Sequence, residues 1–204
     1  EESATLVIDS ADVQSDGNIV IEPRTNYTIG RFEVPMINDI SRVGLMVTDV
    51  SRKNNPGATV AGMDWNLGFL DNRLFTNGQI VRSDNNNITG NAVRFNLGYM
   101  DPFWWSARFW YGHYDDEFDV NDLGYLRRND MNWVGGRVEF RKQEPWGRFI
   151  YNDLELKYMQ EWRGDGLVLE RELEIEQNNL FTNYWRAGFF SKVFLPAYND
   201  EDIF

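Results

Sequence analysis

The sequence predicts an all-β fold in which consecutive strands form an antiparallel up-and-down meander. Three observations lead to this prediction. Apolar and polar residues alternate over long stretches, turn-forming residues separate those stretches, and helical periodicity is scarce. Aromatic residues, which are enriched in strands, make up 15% of the 204 residues. Because short turns connect the stretches, neighbouring strands are expected to run antiparallel.

Ten strands are predicted along the chain, at residues 25–34, 42–51, 58–70, 73–82, 90–99, 103–114, 131–142, 148–163, 165–177 and 181–195. The third strand alternates most clearly, with Met63 and Trp65 on one face and Asp64 and Asn66 on the other. The predicted turns are rich in Gly, Pro, Asn and Asp, as in KNNPG at 53–57, SDNNNITG at 83–90 and RGDG at 163–166.

The segment GLVLERELEIEQ, at residues 166–177, contains many strong helix formers but follows the period of a strand. Leu173 and Ile175 fall on one side, and Glu172 and Glu174 fall on the other. A helix would distribute the leucines around its circumference, so a strand is predicted. The glutamate ladder of this strand is expected to pair with basic residues of adjacent strands, such as Arg137, Arg141 or Lys157.

The chain is predicted to be one incomplete β-barrel domain over residues 1–204. Residues 1–24 form a less regular lead-in, in which TLVID and NIVIE are expected to be two short strands around an acidic turn. The chain begins without methionine and ends at NDEDIF, which suggests a mature chain or a portion of a longer one.

Charge and composition argue against several classes of partner and chemistry. The net charge of −12 disfavours nucleic acid, whose phosphates would repel the chain. Because the sequence contains no cysteine, disulfides, thiolate metal sites and a cysteine nucleophile are excluded. No apolar run approaches the roughly 18 residues of a membrane helix.

Strand length and polarity favour a membrane barrel over a soluble sandwich. Soluble strands average about five or six residues, whereas a bilayer requires about 9–11 tilted residues. The polar faces carry Gly, Asn, Asp, Arg and Glu, which suit an aqueous lumen better than a sandwich core. Aromatic residues cluster near predicted strand ends, as expected at a membrane–water boundary: Tyr99, Phe103, Trp104, Trp105, Trp146, Phe181 and Tyr184. The alternative is a secreted β-sandwich that binds or processes carbohydrate.

Three segments carry a family resemblance: NYTIGRFEVPMINDISRVGLMVTDVSR, AGMDWNLGFLDN and FDVNDLGYLRRND. They resemble a bacterial outer-membrane β-barrel family catalogued as a domain of unknown function, and the likeness runs from about Glu22 to the end. Full-length members usually place this barrel after a module similar to family-nine carbohydrate-binding domains. The resemblance implies a C-terminal barrel integral to the outer membrane of a Gram-negative bacterium, without a settled activity.

The acidic stretch DDEFDVNDLGYLRRND, at 115–130, has three interpretations. An EF-hand loop starting at Asp119 would require an oxygen ligand where Leu123 stands, before Gly124. A looser calcium site at Asp115, Asp116, Glu117 and Asp119 stays open, and no carboxylate pair is marked for glycoside hydrolysis. The favoured interpretation is a structural loop: Asn121, Asp122 and Gly124 form turns, while Arg127 and Arg128 pair with Asp119 or Asp122.

Five polar-face residues are candidate ligand-binding residues facing the lumen: Asp64, Asn66, Arg94, Arg108 and Trp110. Planar polar groups and an aromatic face suit a saccharide or another small solute, and the alternative is a satisfied polar network. His113 lacks partners for a metal site or a catalytic triad. No catalytic residue, metal or cofactor is assigned. We therefore expect a non-enzymatic pore, receptor or surface scaffold whose main partner is the lipid bilayer, linked to glycan handling through the carbohydrate-binding module.

Overall fold

The computed structural model describes residues 25–52, 55–122, 124–142 and 144–198. The short strands predicted at TLVID and NIVIE lie outside these residues. The described residues form ten strands, which are β1 (Thr25–Pro35), β2 (Arg42–Arg52), β3 (Asn55–Phe69), β4 (Leu74–Asn85), β5 (Ile88–Met100), β6 (Trp105–Tyr114), β7 (Met131–Lys142), β8 (Phe149–Trp162), β9 (Val168–Phe181) and β10 (Arg186–Phe194). No helix among the described residues has the length and apolar character needed to cross a membrane.

The ten strands form one antiparallel sheet in the order of the chain, which confirms the predicted meander. Each strand is hydrogen-bonded to the strands before and after it. The two edge strands, β1 and β10, do not pair with each other among the described residues. The sheet is therefore open, which is consistent with part of a barrel.

The β4–β5 turn is much tighter than predicted. Both strands extend into the predicted turn at 83–90, so that only Asn86 and Asn87 separate them. These two residues have φ angles of 55° and 65°. Asparagine tolerates this left-handed conformation, and a two-residue turn of this kind matches the twist of antiparallel strands.

The β9–β10 turn lies further along the chain than expected. β9 continues to Phe181 instead of residue 177, because Asn178 and Asn179 stay in the strand and pair with Gly188 and Ala187. The reversal occurs at residues 182–185, where the Asn183 Oδ1 accepts a bond of 3.2 Å from the Trp185 amide.

The sheet is a single layer, and few apolar side chains are buried. Among the described residues the buried apolar ones are Val50, Ala58, Ala92 and Phe118. No second sheet packs against this one within the described part of the chain. The alternative β-sandwich architecture is therefore not what the chain adopts there.

The register divides the sheet into two faces, which we define by their residues. The polar face carries Asp64, Arg94, Arg108 and Glu172, and the apolar face carries Leu97, Phe109, Tyr158, Leu173 and Val193. We call the end of the sheet with the turns at 36–41, 70–73, 101–104 and 182–185 the aromatic end. The opposite end, which bears the segment 115–130, is the loop end.

Candidate functional site

The five predicted ligand residues lie on the polar face in three neighbouring rows of the sheet. Asp64 is in register with Gln79, which is in register with Arg94. In the next row toward the aromatic end, the register runs from Asn66 through Asn77 and Asn96 to Trp110. Arg108 lies one row further on, opposite Gly98. The structure thus brings all five onto one surface spanning β3 to β6.

Two of these five residues are already engaged by neighbours. Both carboxylate oxygens of Asp64 accept bonds from the Arg31 guanidinium, at 2.9 and 3.0 Å. The Asn66 side-chain amide donates to the Ile40 carbonyl at 3.3 Å. Asp64 and Asn66 therefore belong to the structural polar network of β1 to β3.

Trp110 is one of three aromatic rings that lie flat over buried glycines of an adjacent strand. A Cβ atom at Gly135 would come within 2.2 Å of the Trp110 Cε2 atom. Trp133 covers Gly112 and Phe75 covers Gly98, with corresponding distances of 1.8 and 2.2 Å. Only glycine leaves room for a ring at such a distance. The result is a flat aromatic floor on the polar face of β4 to β7.

Arg94 and Arg108 are exposed beside this floor. The Arg108 guanidinium lies 5.5 Å from the centre of the Phe75 ring, a cation–π distance. Neither arginine has a carboxylate partner among the residues that the structure describes. Their planar donor groups are therefore available to an acceptor outside the sheet.

The polar face of β8 to β10 is different, because its charges pair across strands. Glu172 is 1% exposed and lies between two lysines, Lys157 at 3.1 Å and Lys192. Glu174 contacts the same two lysines at 3.2 and 3.0 Å. The predicted pairing of the glutamate ladder is confirmed for Lys157, whereas the role of Lys192 was not predicted.

The other two basic residues proposed for the glutamate ladder pair with different carboxylates. Arg137 lies 3.4 Å from Glu155, and Arg141 pairs with Glu139. Both carboxylates are on the polar face of β7 and β8, and Glu155 is in register with Glu176 of β9. Ion pairs on the polar face thus join β7 to β8 and β8 to β9.

The acidic segment 115–130 folds onto the polar face at the loop end. Phe118 is 4% exposed and its backbone contacts Gly90, where a Cβ atom would lie 2.2 Å from the Phe118 Cα. The Asp119 amide donates to the Ser83 hydroxyl at 3.1 Å, and the Asp119 carboxylate accepts from Asn85 at 2.9 Å. The segment is therefore held against the loop-end residues of β4 and β5.

Side-chain hydrogen bonds within this segment centre on Asp119 and Asn121. Asn121 donates from its backbone and its side chain to Asp119 Oδ1, each at 2.9 Å, and its own oxygen accepts from the Leu126 amide at 2.8 Å. Asp122 pairs with Arg52 of β2, and Gly124 packs near Val120. Leu123 lies outside the described residues.

Arg127 and Arg128 lie within electrostatic range of Glu161 on β8. Their predicted pairing with Asp119 or Asp122 stays a prediction. Among the described residues no three carboxylate or imidazole groups come together in a way that would hold a metal ion. His113 lies 2.7 Å from the Asn132 side-chain oxygen through its Nδ1 atom, which gives it a structural partner.

The seven aromatic residues predicted at strand ends all lie at the aromatic end of the sheet. Several are in contact: the ring centres of Tyr99 and Trp105 are 4.9 Å apart, and those of Phe149 and Phe181 are 5.0 Å apart. The Lys142 ammonium lies 5.6 Å from the Trp146 ring centre. Rings and a nearby cation are thus concentrated on one side of the molecule.

The whole chain, residues 1–204, matches the family described as a domain of unknown function (DUF5916). The chain therefore belongs to this family, which confirms the predicted relationship to a domain of unknown function. No curated protein matches the chain, and no solved structure matches it. The predicted outer-membrane context and the carbohydrate-binding module stay predictions.

Proposed function

We propose that this member of a family of unknown function forms part of an integral outer-membrane β-barrel of a Gram-negative bacterium. In this proposal the barrel is non-enzymatic and acts as a pore, receptor or surface scaffold linked to glycan handling. The observation that carries the proposal is a single-layer sheet whose apolar face is not covered by any other described part of the chain and whose polar face contains ion pairs. In a barrel, the bilayer covers the first face and an aqueous lumen hydrates the second.

One register row of the apolar face illustrates how much apolar surface the sheet exposes. Leu97, Phe109, Tyr158, Leu173 and Val193 follow one another in register across five of the strands, with Gly136 between the second and third. Their exposed fractions lie between 36% and 48%. Soluble proteins rarely expose contiguous apolar surfaces of this extent.

Strand length and the distribution of aromatic residues support the same proposal. The strands contain 9 to 15 residues, which reaches the roughly 9–11 residues that a tilted membrane strand requires. The aromatic end supplies amphipathic rings for one membrane–water boundary.

The test is membrane partitioning of the full-length protein. We expect it to fractionate with outer membranes, to resist extraction by urea or carbonate, and to require detergent to stay monodisperse. Recovery as a monodisperse monomer from detergent-free buffer would overturn the proposal and favour a soluble protein.

A matched pair of substitutions separates the two faces. Leu97→Arg places a charge in the middle of the apolar face, where it should cost about 2–4 kcal/mol in a bilayer and strongly reduce the assembled fraction. Gln79→Arg places the same charge on the polar face and should leave assembly unchanged. Equal assembly of the two variants, measured as folded protein in the outer membrane, would contradict the proposed orientation.

A further inference from the structure

We propose that Arg94, Arg108 and Trp110 form a binding site for a carboxylated saccharide on the polar face. This inference rests on the proposed function, because it places the site on the wall of an aqueous lumen. It assigns a substrate class to three of the five residues that the sequence singles out, and it assigns Asp64 and Asn66 to the structural network.

The first argument is charge. The chain has 32 acidic and 20 basic residues, so a carboxylate partner is plentiful for any arginine. Six basic side chains of the polar face pair with one: Arg31, Arg42, Arg137, Arg141, Lys157 and Lys192. Arg94 instead has Gln79 and Gly112 as its register partners, and Arg108 has Gly98 and Arg137. The region around them is therefore locally positive on a negative protein.

The second argument is geometry. Arg94 and Arg108 are four residues apart along the strand direction, which is about 14 Å, and the row that contains Trp110 lies between them. A ligand that lies on the indole therefore has one arginine on each side of it along the strand direction. Arginine binds carboxylates through two parallel hydrogen bonds, which gives the site an orientation as well as a charge preference.

The third argument is the shape of the floor. Trp110, Trp133 and Phe75 lie flat over buried Gly135, Gly112 and Gly98 on neighbouring strands. Flat aromatic surfaces suit the C–H face of a sugar ring, because apolar area is buried while the hydroxyl groups stay free to hydrogen-bond. Asn96 and Asn77, joined by a bond of 2.9 Å, lie in the Trp110 row and offer further polar groups for those hydroxyls.

The experiment measures binding of digalacturonate to the full-length protein in detergent by isothermal titration calorimetry. The comparison ligands are the methyl ester of the same disaccharide, which lacks the charge, and inorganic phosphate, which lacks the ring. We expect the acid to bind, and the ester and phosphate to bind at least about ten-fold more weakly, because each lacks one of the two recognised features.

The variant Arg94→Gln/Arg108→Gln should lose about ten-fold or more of the affinity for the acid. The matched control is Arg186→Gln, which removes another exposed polar-face arginine at the edge strand β10, far from Trp110. It should bind like the unsubstituted protein. Far-ultraviolet circular dichroism and membrane partitioning check that each variant is folded and assembled.

Several results would overturn the inference: no binding of the acid, equal binding of acid and ester, binding of phosphate as tight as that of the acid, or unchanged affinity in the double variant. If the protein partitions with the membrane and still gives one of these results, the binding site is wrong and the proposed function stands. If it is recovered from detergent-free buffer, the proposed function fails whatever the binding result.

Discussion

The polar face contains two regions that differ in how their charges are compensated. In β8 to β10, Glu172 and Glu174 are held by Lys157 and Lys192, and the carboxylate of Glu172 is almost fully buried. In β4 to β7, the aromatic floor is flanked by exposed arginines without described carboxylate partners. The first region satisfies its charges within the sheet, whereas the second leaves cations available to something else.

This difference separates structural charge from charge that is available for binding. A buried carboxylate between two cations contributes to stability only while the set is complete, because removal of one member leaves uncompensated charge. An exposed arginine with no partner contributes little to stability, so its removal should cost little. Substitutions in the two regions are therefore expected to have opposite effects on stability and on binding.

The largest expected effect is that of Glu172→Ala. This variant removes the carboxylate shared by Lys157 and Lys192 and should lower the free energy of unfolding by about 3 kcal/mol. The measurement is the midpoint of urea-induced unfolding of the full-length protein in detergent. Arg94→Gln is the control from the other region and should change stability by less than about 0.5 kcal/mol. Similar losses in both variants would remove the distinction between the two regions.

The second comparison uses two adjacent glycines of β7. Gly135→Ala would place a Cβ atom 2.2 Å from the Trp110 indole, whereas the nearest atom to a Cβ at Gly136 is the Arg108 carbonyl oxygen at 3.7 Å. Gly135→Ala must displace the ring and should cost about 1–3 kcal/mol. Gly136→Ala should be tolerated. The difference between the two variants is measured by the near-ultraviolet circular dichroism of the tryptophans and by the unfolding midpoint. An unchanged tryptophan signal in Gly135→Ala would show that the position of the Trp110 ring does not depend on this glycine.

Much of the fold follows from the sequence because a strand has a period of two. The alternation placed Asp64 and Asn66 on one face and Met63 and Trp65 on the other, and short turns required antiparallel neighbours. The boundaries were less accurate where asparagines remain inside strands, as at Asn178 and Asn179 in β9. Asparagine is depleted in strands on average, but both side chains have partners here: the Asn152 amide on β8 donates to Asn179, and Asn178 donates to Glu176.

The candidate site was only partly predictable. The role of Trp133 in the aromatic floor could have been predicted from the alternation in MNWVGGRV. This alternation places Trp133 on the same face as Gly135 and Arg137. Which glycine lies beneath which ring depends on the register between strands, and so does the availability of Arg94 and Arg108. The partner of Asp122 is Arg52, which is 70 residues away along the chain. Periodicity carries no information about contacts over such a separation.

The smallest expected effect comes from the exposed turn between β8 and β9, which tests how little a solvated charge pair contributes. The Arg163 side chain and, secondarily, the Leu167 amide donate to Asp165, and they lower the pKa of this carboxyl from 3.8 to about 2. Because the folded-state pKa is depressed, the stabilisation is fully present above about pH 4 and is lost as the pH falls through about 2. The difference in unfolding midpoint between the unsubstituted protein and Asp165→Asn should therefore be small at pH 6 and absent below pH 2. Arg163→Gln should remove most of this pH dependence, while the hydrogen bond from the Leu167 amide remains. The contradicting result is a difference between the unsubstituted protein and Asp165→Asn that persists unchanged below pH 2. That result would show that something other than the Asp165 charge stabilises the turn.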